Sequence, residues 1–161
     1  MWSSIYKYKY FLVWWLVLLG VGALLGQITA PQIQSWYSQL VLPPYNPPNE
    51  IFAPVWTILY SLLAYVGFWL WQQSSSVPLR HLKTLYLLQL LMNWSWTPIF
   101  FYWHALGLAS LWLIILIMIV LVMMRISLNY SRKLFWILLP YLLWLIFACY
   151  LNLYIFSANH G

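Results

Sequence analysis

The sequence predicts an all-α integral membrane protein, a bundle of five transmembrane helices, and three observations carry that prediction. Of its 161 residues, 65% are hydrophobic and only 5% are charged. A soluble domain is about half apolar and a quarter charged. Seven Lys and Arg with a single acidic residue could not cover so apolar a core in water, which excludes a soluble enzyme and a disordered segment. Second, five stretches have roughly the 20 apolar residues that a hydrocarbon layer about 30 Å thick requires. Third, every Lys and Arg falls either before the first stretch or on the second and fourth connections between the stretches. The chain reads as one domain over residues 1–161.

The first span is Phe11 to about Gln27. Lys7 and Lys9 precede it as they would a signal peptide, but the apolar run is long and Ile28-Thr29-Ala30-Pro31 is a poor cleavage site, so a retained helix is expected. Pro31, Pro43, Pro44, Pro47 and Pro48, with Asn46 and Asn49, then predict a long non-helical loop over 28–51. The second span is Phe52–Trp71, closed by Ser74, Ser75, Ser76 and Pro78. The third, Thr84–Trp103, and the fourth, Ala105–Met124, are joined by a short hinge around His104 to Gly107. Asn129 to Lys133 separate the fourth from the fifth, Leu134–Phe156. None of these runs alternates in polarity with period two, as transmembrane β-strands do.

Threading five spans puts Lys7, Lys9, Arg80, Lys83, Arg125, Arg132 and Lys133 on one side and no Lys or Arg on the other. By the positive-inside rule the N-terminus is cytoplasmic, and the Pro-rich loop and C-terminus lie on the opposite face. The net charge of +6 thus reflects topology and contact with lipid phosphates. Singly scattered cations make no patch for nucleic acid.

Aromatic residues make up 21% of the chain, with 13 Trp. Interfacial belts account for Trp2, Tyr6, Tyr8, Tyr10, Trp71, Trp103 and Trp136. Indoles inside the spans leave large flat walls, which serve packing or a flat aromatic ligand. Gln89 and Asn93 share a face of the third helix, with Asn93 near mid-membrane. Its amide is either interhelix glue or a ligand contact, and Asn152 admits the same two readings. No ionisable side chain occupies the middle of a span, which argues against a proton relay or ion-coupled carrier. His81, His104 and His160 fall in loops or the tail, so no bis-His haem site forms within the bundle. Cys149, the one cysteine, excludes an intrachain disulfide and a Cys-based zinc cage, and reads as a small buried hydrophobe. No metal site is expected. Gly20, Gly22, Ala23 and Gly26 allow close helix packing, room for a ligand, or a homodimer contact.

Three blocks of sequence then carry a resemblance. Trp36-Tyr37-x-x-Leu40 is followed by Pro43, Pro47-Pro48 and Phe52-Ala53-Pro54-Val55-Trp56-Thr57-x-Leu59-Tyr60. The third span reads Gln89-Leu90-x-x-Asn93-Trp94-x-Trp96-x-Pro98-Ile99-Phe100-Phe101. The fifth reads Pro140-Tyr141-Leu142-x-Trp144-x-x-x-Ala148-x-x-Leu151-Asn152. In order and in register with five spans, they resemble the TspO/translocator protein family of tryptophan-rich sensory proteins.

The resemblance implies a membrane receptor or sensor whose pocket, beneath the long first loop, takes tetrapyrroles such as protoporphyrin or haem. Isoquinoline- and benzodiazepine-type ligands are also implied, and no cofactor is required. By motif the pocket walls are Phe52, Ala53 and Trp56, then Asn93 and Trp96, then Trp144, Ala148 and Leu151. Ala23 is a further candidate. Helical spacing agrees: Trp144, Ala148 and Leu151 line one face, as do Trp56 and Tyr60, and the two tryptophans are expected on opposite walls. Alternative functions are light- or oxidant-dependent porphyrin degradation with Trp56 and Trp144 as redox-active residues, and tetrapyrrole transport. Two departures stand out. Glu50 occupies a position that is usually aromatic, and Tyr154 lacks the following basic residue of the family's sterol pattern, which weakens a sterol role. The loose sterol-type pattern at Leu128-x-Tyr130-x-Arg132 matches by chance too easily to count.

Overall fold

A computed structural model describes residues 2–74 and 76–159, with side chains from Lys9 onward. The side chains of Trp2, Tyr6, Lys7 and Tyr8, and Ser75 and His160 altogether, lie outside the described residues. Five helices and no strand are present among the described residues: α1 (Trp2–Ser35), α2 (Asn49–Gln72), α3 (Val77–Phe101), α4 (Leu106–Ser127) and α5 (Arg132–Asn159). A single 3₁₀ turn, Tyr37–Gln39, lies in the first loop. Helix contacts close a ring in the order α1, α2, α5, α4, α3.

Each helix is longer than the apolar stretch that announced it, because polar residues at a membrane edge remain helical in water, although α3 stops at Phe101, short of Trp103, and α4 starts at Leu106, one residue after Ala105. The largest correction concerns the loop expected over 28–51. α1 continues through Pro31 to Ser35, so the loop proper begins at Trp36. Proline removes one helical N–H and crowds the carbonyl four residues back, here that of Gln27. That carbonyl lies near the helix end, where headgroups and water can solvate it. The Trp36 amide still donates to the Gln32 carbonyl at 3.0 Å, so the last turn is intact. α3 likewise begins at Val77 rather than Thr84, because Pro78 in the first turn starts a helix as well as ending a loop.

α1 from Lys9, α2, α4 and α5 are long and apolar enough to cross a membrane. α3, which the sequence reading also counted as a span, does not qualify by composition. Arg80, His81 and Lys83 near its start, with Gln89 and Asn93 in its body, lower its hydropathy. Its 25 residues nevertheless reach about 37 Å, and its polar face is turned into the ring: Gln89 and Asn93 are both buried.

The two ends of the bundle differ. Toward the basic end the ring is filled by Leu63, Leu70, Leu82, Tyr86, Met123, Leu134 and Leu138, all fully buried. Gly67 lets α2 approach α3 there, since a Cβ on it would lie 2.5 Å from the Tyr86 hydroxyl. Toward the other end the core gives way to a cavity.

The first loop is fastened over that end. Asn159, the last residue of α5, accepts from the Val41 amide at 2.9 Å and donates to its carbonyl at 3.1 Å. The Trp36 ring stacks on His104 in the α3–α4 hinge at 3.9 Å. The Tyr37 hydroxyl donates to Asn46 at 3.0 Å. His104 itself adopts a positive φ of 52°, a left-handed conformation that lets four residues join α3 to α4.

Candidate functional site

The cavity has a volume of about 730 Å³, within the usual range for small-molecule sites. α1 contributes a stripe of small residues, Gly22, Ala23, Gly26 and Ala30, with Leu19 and Ile33 at its ends. Their spacing of three and four keeps them on one helix face. Two of these glycines have different tasks. A Cβ on Gly22 would come within 2.6 Å of the Tyr60 ring, so its lack of a side chain permits α1–α2 packing. A Cβ on Gly26 would meet nothing within 4 Å, so this position opens onto free volume.

Phe52, Ala53, Trp56 and Tyr60 of α2 face the same space. Asn93, Trp96, Thr97 and Phe100 come from α3, Leu113 and Leu116 from α4. Trp144, Ala148, Leu151 and Asn152 come from α5, and Tyr37 and Asn49 stand at the two ends of the loop. All eight motif residues read from the sequence (Phe52, Ala53, Trp56, Asn93, Trp96, Trp144, Ala148 and Leu151) therefore line one cavity, and Ala23 lines it with them. The α1 glycines, Tyr37, Phe100 and Asn152 were not among the eight. The small-residue spacing of α1 was the available signal, but that spacing serves close packing equally well.

One placement differs from expectation. Trp56 and Trp144 are not on opposite walls; their rings meet edge to face, with centroids 6.4 Å apart. The α2–α5 contact in the ring brings them together. Phe52 packs on Trp144 at 5.9 Å, and Trp56 lies 5.3 Å from Tyr60. These four rings make a continuous aromatic wall.

Behind the lining runs a relay of buried amides and phenols. Tyr60 donates to Asn93 Oδ1 at 2.9 Å, and Asn93 Nδ2 donates to the Tyr141 hydroxyl at 3.2 Å. Tyr141 in turn donates to Gln89 Oε1 at 2.8 Å. Asn93 is thus the interhelix glue of α2, α3 and α5, with one edge on the cavity. Asn152 does the same for α3, α4 and α5. It accepts from the Trp96 indole at 3.1 Å and donates to Ser110 at 2.9 Å and to the Leu106 carbonyl at 3.0 Å. Gln89 Nε2 is buried with no hydrogen-bond partner among the described residues. Cys149 is buried and free. No cluster of His, Cys, Asp or Glu suited to a metal ion occurs among the described residues.

Replacing Asn93 by Leu strands the Tyr60 hydroxyl and cuts the relay. Bonds of this kind between membrane helices average about 0.6 kcal/mol and reach about 1.7. Asn93→Leu should therefore cost on the order of 1 kcal/mol and weaken ligand binding modestly while the bundle stays folded. Denaturation in mixed micelles, read beside ligand affinity, checks both.

The chain matches the TspO/MBR family model over residues 13–157. It is 33% identical to Tryptophan-rich protein TspO of Archaeoglobus fulgidus, with 89% of this chain and 93% of that protein covered. Identity to the protein of the same name from Chlorobaculum tepidum is 35%, covering 83% and 86%. The human Translocator protein is 33% identical, with 78% of this chain and 76% of the relative covered. With helices built to cross a membrane, a tryptophan-lined cavity and matches over most of its length, the chain belongs to the TspO/MBR family.

Proposed function

We propose that this membrane protein is a receptor or sensor that holds flat conjugated ligands in its aromatic cavity. Tetrapyrroles of the protoporphyrin or haem type are the main class, and isoquinoline- or benzodiazepine-type molecules the second. The observation that carries this reading is the convergence of eight motif residues from three separate helices on one cavity of about 730 Å³. Burial of a conjugated ring against Trp56, Trp144 and Phe52 supplies the affinity, with roughly 0.5–1.5 kcal/mol added for a well-placed ring contact. The test is a titration of the purified protein with protoporphyrin, following tryptophan fluorescence. Saturable quenching is expected; quenching that grows without saturation contradicts the reading.

A second reading, light- or oxidant-dependent porphyrin breakdown, is favoured by the contiguous oxidisable rings of Trp56, Tyr60 and Trp144. Trp56→Phe and Trp144→Phe keep an aromatic wall and should lower affinity by less than about tenfold. Under illumination in air, wild type should bleach the bound pigment and the double variant should not. Trp112, which donates to the Met92 carbonyl and to Ser95 instead of lining the cavity, is the packing control. Full bleaching by the double variant sinks the redox role and leaves binding intact.

The cavity would open toward the side opposite the cytoplasm, since the basic residues lie at the other end. With Cys149 removed, cysteine at Ser157 should react with an impermeant reagent from outside intact cells, and cysteine at Ser3 should not. The reverse pattern would invert the topology.

A further inference from the structure

Away from the cavity, α2 and α5 enclose a second, apolar groove between Val55 and Ile58 on one side and Pro140, Leu143 and Phe147 on the other. Ile58, Pro140 and Leu143 are exposed, so the groove faces lipid. On α5 its residues continue a stripe, spaced by three and four, that starts at Lys133 and passes Trp136. On α2 the matching stripe runs from Val55 and Ile58 through Leu62 to Tyr65. Phe52 packs on Trp144 while Tyr65 meets Lys133, so the two helices are antiparallel and the stripes stay side by side.

The stripes meet at the basic end. There the Lys133 ammonium donates to the Tyr65 hydroxyl at 2.9 Å and lies 4.6 Å from the centre of its ring. A flexible cation is thus held at the head of the groove. Along α5, Pro140 is about 10 Å and Phe147 about 21 Å from Lys133. Half of a 30 Å hydrocarbon layer is about 15 Å, so a lipid chain that starts beside Lys133 runs along this groove to mid-membrane. Exposed Trp136 carries an indole donor between the two, at the depth of the ester carbonyls.

No acidic side chain can neutralise Lys133 or its exposed neighbour Arg132. Glu50, the only one in the chain, sits in the first turn of α2, fifteen residues or about 22 Å of helix from Tyr65. The counter-charge therefore comes from outside the chain. A second copy in the same membrane orientation would set cations against cations. Phosphatidylcholine brings its own cation with its phosphate. A phospholipid with net negative charge suits both the cations and the groove, and basic pockets between membrane helices hold such headgroups elsewhere.

We propose that the α2–α5 groove binds one anionic phospholipid, with its phosphate at Lys133 and Arg132 and an acyl chain along Ile58, Pro140 and Leu143. The inference is independent of what the main cavity binds. Trp144 lines both spaces, so the chain backs the aromatic wall from outside.

The test is native mass spectrometry of the full chain in detergent, titrated with dioleoylphosphatidylglycerol or dioleoylphosphatidylcholine. The anionic lipid should bind at least tenfold tighter. A cation near an anionic headgroup is worth about fivefold, so Arg132→Gln with Lys133→Gln should weaken that lipid by tenfold or more. Lys9→Gln with Arg80→Gln removes the same charge from α1 and α3, and should change its affinity less than twofold. Lys133→Arg keeps the charge and should keep the binding. Ile58→Trp fills the groove without altering charge, and should weaken the anionic lipid by fivefold or more. Equal binding of the two lipids overturns the proposal, as does an equal loss from the two charge-removing pairs, which describes a diffuse cationic surface. Unchanged affinity in Ile58→Trp overturns it too, as does displacement of the lipid by glycerol 3-phosphate, since a headgroup alone would then suffice.

Discussion

Gly26→Phe should abolish ligand binding and leave the bundle folded. Gly26 lies on the α1 face that lines the cavity, and a Cβ there meets no atom within 4 Å. A phenyl ring grown from this position therefore enters volume that the ligand would occupy, and it displaces no protein atom at its base. The substitution also removes a helix-interior glycine, which by itself favours folding by up to about 1 kcal/mol. Affinity should fall by more than about a hundredfold, or 2.7 kcal/mol. Gly20 is the matched control. It too has nothing within 4 Å of an added Cβ, but it does not line the cavity, so Gly20→Phe should bind as wild type does. A porphyrin titration of the three proteins settles the matter, and unchanged affinity in Gly26→Phe would move the site elsewhere.

Gly67→Leu should have the largest effect on stability. An added Cβ would sit 2.5 Å from the Tyr86 hydroxyl and 3.0 Å from the Trp14 ring. Tyr86 cannot yield. Tyr86 is fully buried, donates to the Leu63 carbonyl at 2.8 Å, and is packed by Trp14 and Trp71 at 5.5 and 5.9 Å. Overpacking a filled core costs about 1–3 kcal/mol, and loss of the Tyr86 bond in this apolar region adds to it. Gly67→Leu should therefore lose fold in mixed micelles at a lower denaturant fraction than wild type, with Gly67→Ala between them. A Gly67→Leu variant as resistant as Gly20→Leu would show that the solid end of the bundle is looser than the packing around Tyr86 implies.

The membrane class and the five helices were legible because they follow from composition and from runs of apolar residues, which the thickness of a bilayer fixes. Helix ends were less so. Apolarity marks where a helix enters lipid, not where its hydrogen bonds stop. That is why α1 runs through Pro31 to Ser35 and α3 starts at Val77. The aromatic and α5 parts of the site were legible from motif and helical spacing. The partners of Asn93 were not, because Tyr60 and Tyr141 lie 33 and 48 residues away and meet it only once the ring of helices closes. The same closure brought Trp56 against Trp144. The double role of the α1 glycines also needed coordinates, since spacing alone does not distinguish a glycine pressed on Tyr60 from one facing open volume.

The most direct test of the account is the position of the macrocycle in a crystal structure of the protein bound to protoporphyrin. The account predicts one ring system inside the cavity, against the wall of Phe52, Trp56 and Trp144, with Gly26 and Ala23 facing its other side. A macrocycle lodged on the lipid-facing surface, with the cavity left unfilled, would contradict it.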